Sequence, residues 1–242
     1  MTDSHNDPLQ PIFNQLSGGR ILDLATGRGG FIHTLLEYLP DYTELIGIDS
    51  SDNGAAAFAQ TFSDERIRFQ HMDATQIEFP DASFDLVSIA HSLHHLDNLP
   101  AVFAEMLRVL KPGGHLLVVE MYRDGQTTTQ MTHVELHHWW AAIDRGLGIS
   151  HHETFTRQEI YGQLVDLALV DPQTLDIKDL SQDPLAPEIV QQLDGAIDMY
   201  IQRAEGLPGQ AGLQQRGEQL RQRVHTTGFH GATALFYIAR KA

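Results

Sequence analysis

The sequence predicts an α/β fold with a doubly wound, mostly parallel sheet of seven strands. Short apolar segments alternate with helical segments over the first half of the chain, which is the βαβ pattern of a parallel sheet. Three of these strands end in an aspartate, and a glycine-rich turn follows the first. A chain of 242 residues can bury a sizeable core, so we expect residues 1–242 to form a single domain.

The first strand, at residues 21–24, carries Asp23 and leads into the glycine-rich turn. Gly27 and Gly29 let the backbone adopt tight or positive-φ conformations and let a ligand approach where no Cβ intervenes. The N–H groups that open the next helix can receive an anionic group. This pattern predicts a nucleotide-like ligand. A dinucleotide fingerprint would need a third glycine, where this chain has Ile32.

The next two strands also end in a carboxylate. Asp49 closes the strand at residues 45–49, and Asp73 follows the strand that begins at Arg68. A single aspartate at a strand end is often a turn-former. Three such ends in an open α/β sheet converge on one crevice, however, which favours a shared ligand site. The carboxylate of Asp49 can there accept hydrogen bonds from the two hydroxyls of a ribose.

Residues 20–121 resemble the class I S-adenosylmethionine-dependent methyltransferases, in the subfamily that includes the ubiquinone and menaquinone C-methyltransferases. The five motifs that carry the resemblance, in order, are Asp23–Gly30, Leu45–Ser51, Arg68–Ala74, Phe79–Leu96 and Glu105–Glu120. The resemblance implies that S-adenosylmethionine is the cofactor and that the seventh strand runs antiparallel to the others.

The resemblance also implies a role for particular residues. Asp23 and the glycine turn would bind the aminoacyl end and ribose of the cofactor, Asp49 the ribose, and Asp73 the adenine edge. The implied cofactor-binding residues are Asp23, Ala25, Gly27, Gly29, Asp49, Ser50, Asp73, Ala74, Ala90 and His91.

The later elements follow from capping and periodicity. Helices are expected at about 30–39, 53–62 and 99–110, and strands six and seven at 170–178 and 232–240. The sequences Thr127–Gln130 and Thr156–Glu159 can form capping boxes for helices that run to about 146 and 169. In the family, added segments cover the cofactor and shape the substrate pocket. We expect this of residues 1–17, 122–155 and 181–230.

Composition limits the partners. The chain has 16 basic and 32 acidic residues and a net charge of −16, with no basic stripe to neutralise nucleic-acid phosphates or an anionic membrane. A small-molecule substrate is therefore expected. The polar start of the chain is unlike a secretory signal, and we expect a soluble, cytoplasmic monomer or homodimer. Cysteine is absent, which excludes thiolate metal sites and a cysteine nucleophile.

The chain has 14 histidines, and several of them share one helix face. His133, His137, Trp140 and Asp144 follow helical spacing. A His pair at i and i+4 can chelate a metal, and the nearby histidines and acid at 151–153 could complete such a site. No His-Glu-x-x-His motif is present, and the family rarely uses a metal, so we expect none here.

The chemistry instead suggests proton transfer by histidine. A neutral imidazole can take a proton from a phenol or an enolic carbon as it is methylated. We expect His133 and His137 to be the catalytic candidates. The candidates for lining the substrate pocket are His95, Tyr122, His137 and Trp140.

Three functions are consistent with these patterns. The first is methyl transfer from S-adenosylmethionine to oxygen or carbon of a small molecule. The second is a nicotinamide-dependent oxidoreductase of the Rossmann type, against which the missing third glycine counts. The third is a non-catalytic protein that binds S-adenosylmethionine.

Overall fold

The computed structural model describes residues 7–39 and 41–242. Within them the chain forms one seven-stranded sheet with helices around it. The strands are β1 (Arg20–Leu24), β2 (Glu44–Asp49), β3 (Ile67–His71), β4 (Phe84–Ala90), β5 (Leu110–Met121), β6 (Val170–Ile177) and β7 (Ala234–Arg240). Their order is β3-β2-β1-β4-β5-β7-β6. Strand β7 runs antiparallel to β5 and β6 on its two sides, and the other six strands share one direction. The predicted doubly wound, mostly parallel α/β fold is confirmed.

Eight α-helices connect or flank these strands in the described residues. They are α1 (Gln10–Phe13), α2 (Gly30–Tyr38), α3 (Ala55–Thr61), α4 (Leu99–Val109), α5 (Thr128–Gly146), α6 (Arg157–Val165), α7 (Pro187–Arg203) and α8 (Gln210–Thr227). Short 3₁₀ turns at Asp52–Gly54 and Leu93–His95 precede α3 and α4. No helix in the described part of the chain is both long and apolar enough to cross a membrane.

Side-chain alternation along the central strands gives the sheet two apolar faces. On β5, Leu117 and Val119 pack into the core that also holds apolar residues of α1, α2 and α3. Leu116 and Val118 point the other way, into the core shared with α4 and α6. Helices therefore cover both faces of the sheet, and its carboxyl edge is left for other segments.

The predicted capping boxes form at both expected places. The side chain of Thr127 accepts the N–H of Gln130 at the start of α5, and Thr156 accepts that of Glu159 at the start of α6. Helix α6 ends at Val165, earlier than the expected end near residue 169. The backbone of Ala168 has a φ of +52°, which no right-handed helix tolerates. The chain then turns into β6.

Helices α5, α7 and α8 form a small bundle with a core of its own. Gly217 of α8 lies against Trp139 of α5, where a Cβ would come within 2.6 Å of the indole. The buried residues of this bundle are Leu136, Trp139, Ile143, Leu193, Ile197, Ala204, Leu220 and Val224. The helices of this bundle lie in residues 122–155 and 181–230, the two longer segments that were predicted to form a cap.

The first segment expected in the cap behaves differently where it is described. Phe13 of α1 stacks on Tyr38 at a centroid distance of 5.0 Å and lies 6.0 Å from the ring of Phe236. Residues 7–17 thus pack on the α2 side of the sheet, and residues 1–6 lie outside the described residues. That these segments cover a substrate stays a prediction.

We predict that Gly29→Ala destabilises the fold by about 2–4 kcal/mol, through backbone strain and overpacking together. Gly29 has a φ of +84°, and an added Cβ would lie 2.4 Å from Cε2 of Phe62. The matched control is Gly113→Ala, because Gly113 has a φ of +78° but open space around the position of a Cβ. Urea unfolding should show a clearly smaller loss for the control. Equal losses of unfolding free energy in the two variants would mean that the clash with Phe62 does not add to the destabilisation.

Candidate cofactor and substrate site

The carboxylate of Asp23 joins the two central strands to the glycine turn. Asp23 is only 1% exposed at the end of β1. Its Oδ1 accepts a hydrogen bond from Ser88 Oγ of β4, and its Oδ2 accepts one from Thr26 Oγ1, each at 2.7 Å. Burial raises the pKa of Asp23 to about 6, although both hydrogen bonds act to lower it. A buried acid of this kind is a ready partner for a cationic group of a ligand.

Asp49 holds the glycine turn from the end of β2. Its Oδ2 accepts the N–H of Gly27 and its Oδ1 accepts the N–H of Ser51, both at 2.9 Å. Asp49 is half-buried and Ser50 beside it is exposed, so the carboxylate stays accessible from the edge of the sheet. Each oxygen keeps a further lone pair for a ligand hydroxyl.

The two glycines of the turn are required for different reasons. No atom lies within 4 Å of the position a Cβ would take on Gly27, which leaves that side of the turn open. Gly29 faces the protein and packs against Phe62 and Phe58. A ligand can therefore approach at Gly27, whereas Gly29 is constrained by packing and by its positive φ.

Asp73 makes the turn contacts of a strand end. Its Oδ1 accepts hydrogen bonds from the backbone N–H of Thr75 at 2.7 Å and from Thr75 Oγ1 at 2.8 Å. Asp73 is exposed, and Ala74 beside it is buried. Its Oδ2 makes no hydrogen bond with the residues that the structure describes, so it can accept from a ligand.

A cavity of about 320 Å³ opens between the end of β1, the start of α2 and the end of β4. Its lining residues are Asp23, Ala25, Thr26, Gly30, Phe31, Thr34, Ala90 and His91. Four of these were predicted from the sequence: Asp23, Ala25, Ala90 and His91. Of the others, Gly30 and Thr34 lie four residues apart on one face of α2. Helical spacing from the glycine turn could have identified them.

His91 lies where this cavity adjoins two others. One of about 320 Å³ extends past the start of β7 to Phe229 and Ile189, and one of about 250 Å³ reaches Leu9 and Tyr38. His91 lines all three. His91 is exposed, and its imidazole makes no hydrogen bond within the described part of the chain; partial desolvation by the surrounding residues lowers its pKa. A neutral, unpaired ring therefore faces the junction.

The backbone at this junction is strained. Ala25 and His91 both have a φ of +50°, a region that residues other than glycine seldom adopt. The N–H of His91 donates to the carbonyl of Val119 at 2.7 Å, which helps to hold the conformation. Strained residues of this kind cluster at ligand sites, and both line the first cavity.

His133 lies beside the second cavity. Its Nδ1 accepts the N–H of Ala232 at 2.9 Å, and its ring is 5.1 Å from that of Phe229; both partners line the cavity. Burial, with smaller effects from His91 and His94, lowers the pKa of His133 to about 4. The neutral ring therefore carries its proton on Nε2 and can donate a hydrogen bond, but its basic nitrogen is already engaged.

The structure does not bring the other pocket candidates to these cavities. His137 is buried beside His151, and Trp140 stacks on Tyr200 at 5.6 Å. His95 lies outside them, with its ring 4.3 Å from that of His94. Tyr122 packs in the core on the α4 and α6 side, because the alternation of β5 directs it away from Val119.

The topology, with an antiparallel β7 at the sixth position of the sheet, defines the Rossmann-like fold of class I methyltransferases. The site adds acid-ended strands around a glycine turn. Residues 22–118 match the family model described as a methyltransferase domain. Through these residues the chain is related to the S-adenosylmethionine-dependent methyltransferases.

Relatives support this assignment over the same region. The chain is 37% identical over 106 residues to the uncharacterized methyltransferase YcgJ of Bacillus subtilis, covering 43% of this chain and 41% of YcgJ. It is 33% identical over 112 residues to the ubiquinone/menaquinone biosynthesis C-methyltransferase UbiE of Ectopseudomonas mendocina, covering 45% of this chain and 44% of UbiE. The chain thus spans less than half the length of the curated relatives it matches.

Solved structures extend the likeness to the whole fold. The crystal structure of YcgJ from B. subtilis superposes with a TM-score of 0.58 at 20% identity, covering 96% of this chain and 97% of YcgJ. An S-adenosylmethionine-dependent methyltransferase from Mesorhizobium loti gives a TM-score of 0.56 at 17% identity, with 96% and 95% coverage. At these identities the comparison shows the fold alone.

We predict that Asp23→Asn stabilises the ligand-free protein increasingly as the pH rises. The pKa of Asp23 is higher in the folded protein than in the unfolded chain, so its ionisation opposes folding once the pH exceeds the unfolded value. Asparagine removes this cost. The stability of the variant relative to the parent should grow by about 1–3 kcal/mol between pH 4.5 and 7.5.

Denaturant unfolding at a series of pH values provides the measurement. The same substitution at the exposed Asp41 controls for the loss of one negative charge. A difference that stays constant or shrinks as the pH rises would contradict the raised pKa.

Proposed function

We propose that this protein transfers a methyl group from S-adenosylmethionine to an oxygen or carbon atom of a small-molecule acceptor. The observation that carries the proposal is the meeting of three cavities at His91. The first lies at the glycine turn and the acid-ended strands, where the family holds its cofactor. The second offers a separate space for an acceptor.

The residues of the first cavity, together with the neighbouring strand ends at Asp49 and Asp73, fit the cofactor. When bound, S-adenosylmethionine supplies an electrophilic methyl group on its sulfonium. The accessible carboxylate of Asp49 would accept hydrogen bonds from the ribose hydroxyls, and Asp73 would accept one from the adenine amine. The buried carboxylate of Asp23 would face the cationic aminoacyl end. The open side of Gly27 leaves room for the chain between them.

The second cavity fits a small and partly apolar acceptor. Val119, Ile189 and Phe229 give it apolar walls, and Lys178 and Gln182 place polar groups along the same cavity. Its volume of about 320 Å³ is at the lower end of ordinary ligand pockets. A compact phenol or enol with one polar substituent matches this lining. The name of UbiE, which describes a C-methyltransferase of quinone biosynthesis, is consistent with such an acceptor.

We assign the proton-accepting role to His91 and a hydrogen-bonding role to His133. His91 is neutral and unpaired at the junction, so it can take the acceptor's proton. His133 can only donate from Nε2 while its Nδ1 accepts from Ala232. His137, the other catalytic candidate of the sequence, lies in a buried histidine cluster and would act on an acceptor only indirectly. Most of the rate acceleration would come from holding the acceptor in line with the methyl group and excluding water.

The two alternative functions make different demands. An oxidoreductase would place a pyrophosphate against a third glycine, where Ile32 is fully buried in the core instead. A non-catalytic binder would use the same cofactor residues but would have no need of a free imidazole at the junction. Incubation with methyl-labelled cofactor and a panel of phenols and enols separates these cases. Stoichiometric demethylated cofactor and labelled acceptor support the proposal, whereas cofactor binding with no labelled product from any acceptor supports a binder.

We predict that His91→Asn lowers kcat by about 10²–10⁴-fold, the usual contribution of a general base. Asparagine tolerates the left-handed backbone that His91 adopts, so the fold should be retained. Because His91 is one of several residues that line the first cavity, the dissociation constant for the cofactor should change far less than kcat does. The matched control is His115→Asn. His115 pairs with Leu86 near the start of β4, whereas His91 follows the end of β4. If turnover of the His91 variant stays within threefold of the parent, His91 is not the base.

A further inference from the structure

We propose that His94, His95, His137 and His151 form a binding site for a divalent transition-metal ion of the zinc class. Each can offer one ring nitrogen, and these four atoms lie within 4.8 Å of one another. The site differs from the one suggested by sequence spacing, and it departs from our expectation of no metal. It stands independently of the proposed methyl transfer.

The cluster is already close to the geometry that a metal requires. In a tetrahedral site with metal–nitrogen distances of about 2.1 Å, the ligand nitrogens lie roughly 3.4 Å apart. Nδ1 of His137 and Nε2 of His151 are 3.3 Å apart. The rings of His94 and His137 have centroids 4.5 Å apart, and those of His95 and His151 are 4.2 Å apart. Small side-chain rotations would therefore bring all four nitrogens onto one ion.

Two buried carboxylates set the tautomers that a metal needs. Oε1 of Glu120 lies 2.9 Å from Nδ1 of His94, and Oδ2 of Asp144 lies 2.7 Å from Nδ1 of His151. Each carboxylate accepts the proton on Nδ1, so Nε2 is the nitrogen that carries the lone pair; Nε2 of His94 has no partner among the described residues, and Nε2 of His151 faces Nδ1 of His137. Metal-binding histidines are oriented in this way by carboxylates.

One atom of the cluster lacks a partner. Nε2 of His94 is fully buried and makes no hydrogen bond with any described residue. A buried acceptor without a partner destabilises the folded protein. Because Nδ1 of the same ring is engaged by Glu120, the unpartnered nitrogen is the one left for an ion.

The charges and donor atoms select the kind of ion. The carboxylates of Glu120 and Asp144 adjoin the cluster. Arg203 pairs with Asp144 at 2.6 Å, so the carboxylate of Glu120 is left to balance part of the ion's charge. Imidazole nitrogens favour zinc, nickel and copper over magnesium and calcium. His95 is exposed and gives the ion a way in from solvent.

The ion would connect the bundle of α5, α7 and α8 to the sheet. His94 and His95 lie in the turn after β4, His137 lies on α5, and His151 follows α5. His94 is three residues from His91, so the ion would brace the strained turn that lines the first cavity. The other candidates are engaged elsewhere: His133 accepts from Ala232, and His152 pairs with Asp97 at 2.8 Å.

The test uses the full chain purified without a histidine tag and stripped with a chelator. Zn²⁺ binding is measured by equilibrium dialysis with elemental analysis, and Co²⁺ is used as a spectroscopic probe of tetrahedral coordination. The variant His95→Ala removes the exposed ligand and should leave the buried core intact. His152→Ala removes an exposed histidine next to the cluster and serves as the matched control.

The proposal predicts one Zn²⁺ per chain, visible absorption with Co²⁺, and a rise in melting temperature of about 3–5 °C with Zn²⁺ but not with Mg²⁺. His95→Ala should weaken Zn²⁺ binding at least about tenfold, while His152→Ala binds as the parent does. A folded parent that binds no stoichiometric Zn²⁺ overturns the proposal. So does a control variant that loses as much affinity as His95→Ala.

Discussion

The buried carboxylate of Asp23 is the interaction on which the site depends. Strand β1 lies between β2 and β4, and the chain runs outward through β2 and β3 before it returns as β4 on the other side. At this switch point the carboxyl ends of neighbouring strands leave a crevice. Asp23 bridges it by accepting from Ser88 of β4 and from Thr26 of the glycine turn. Burial raises the pKa of Asp23 despite these hydrogen bonds, so its negative charge is costly in the ligand-free protein, as expected where a cationic ligand group is to be bound.

Two histidines in the turn after β4 have side chains in different environments. His91 faces the cavities, in a left-handed conformation and without a side-chain partner. His94, three residues later, points into a buried cluster and is oriented by Glu120 of the neighbouring strand. The same short turn therefore joins the proposed site of methyl transfer to the proposed metal site. Through the contact between His94 and His137, the bundle of α5, α7 and α8 therefore packs directly on the turn at the carboxyl end of β4.

Local patterns in the sequence were sufficient for the fold and for four of the residues that line the first cavity. Strand ends and capping boxes depend on neighbouring residues, and the structure forms them at the expected places. Tyr122 was expected at the substrate pocket, but the alternation of β5 directs it into the core on the other face, and this alternation could have been read from the sequence. The histidine cluster could not have been predicted, because His94 and His151 are brought together where the segment after α5 packs on the turn after β4. Spacing along α5 indicated only that His133 and His137 share a face.

The central claim is that the carboxyl edge of β1 and β2 binds S-adenosylmethionine, and calorimetric titration tests it most directly. The account predicts one S-adenosylmethionine per chain, bound at least about 100-fold more tightly than NAD⁺, a difference of roughly 3 kcal/mol. It also predicts that Asp49→Asn weakens binding of S-adenosylmethionine about 10–100-fold, through the loss of charged hydrogen bonds to the ribose. Equal or tighter binding of NAD⁺, or an Asp49 variant that binds S-adenosylmethionine as the parent does, would contradict the account.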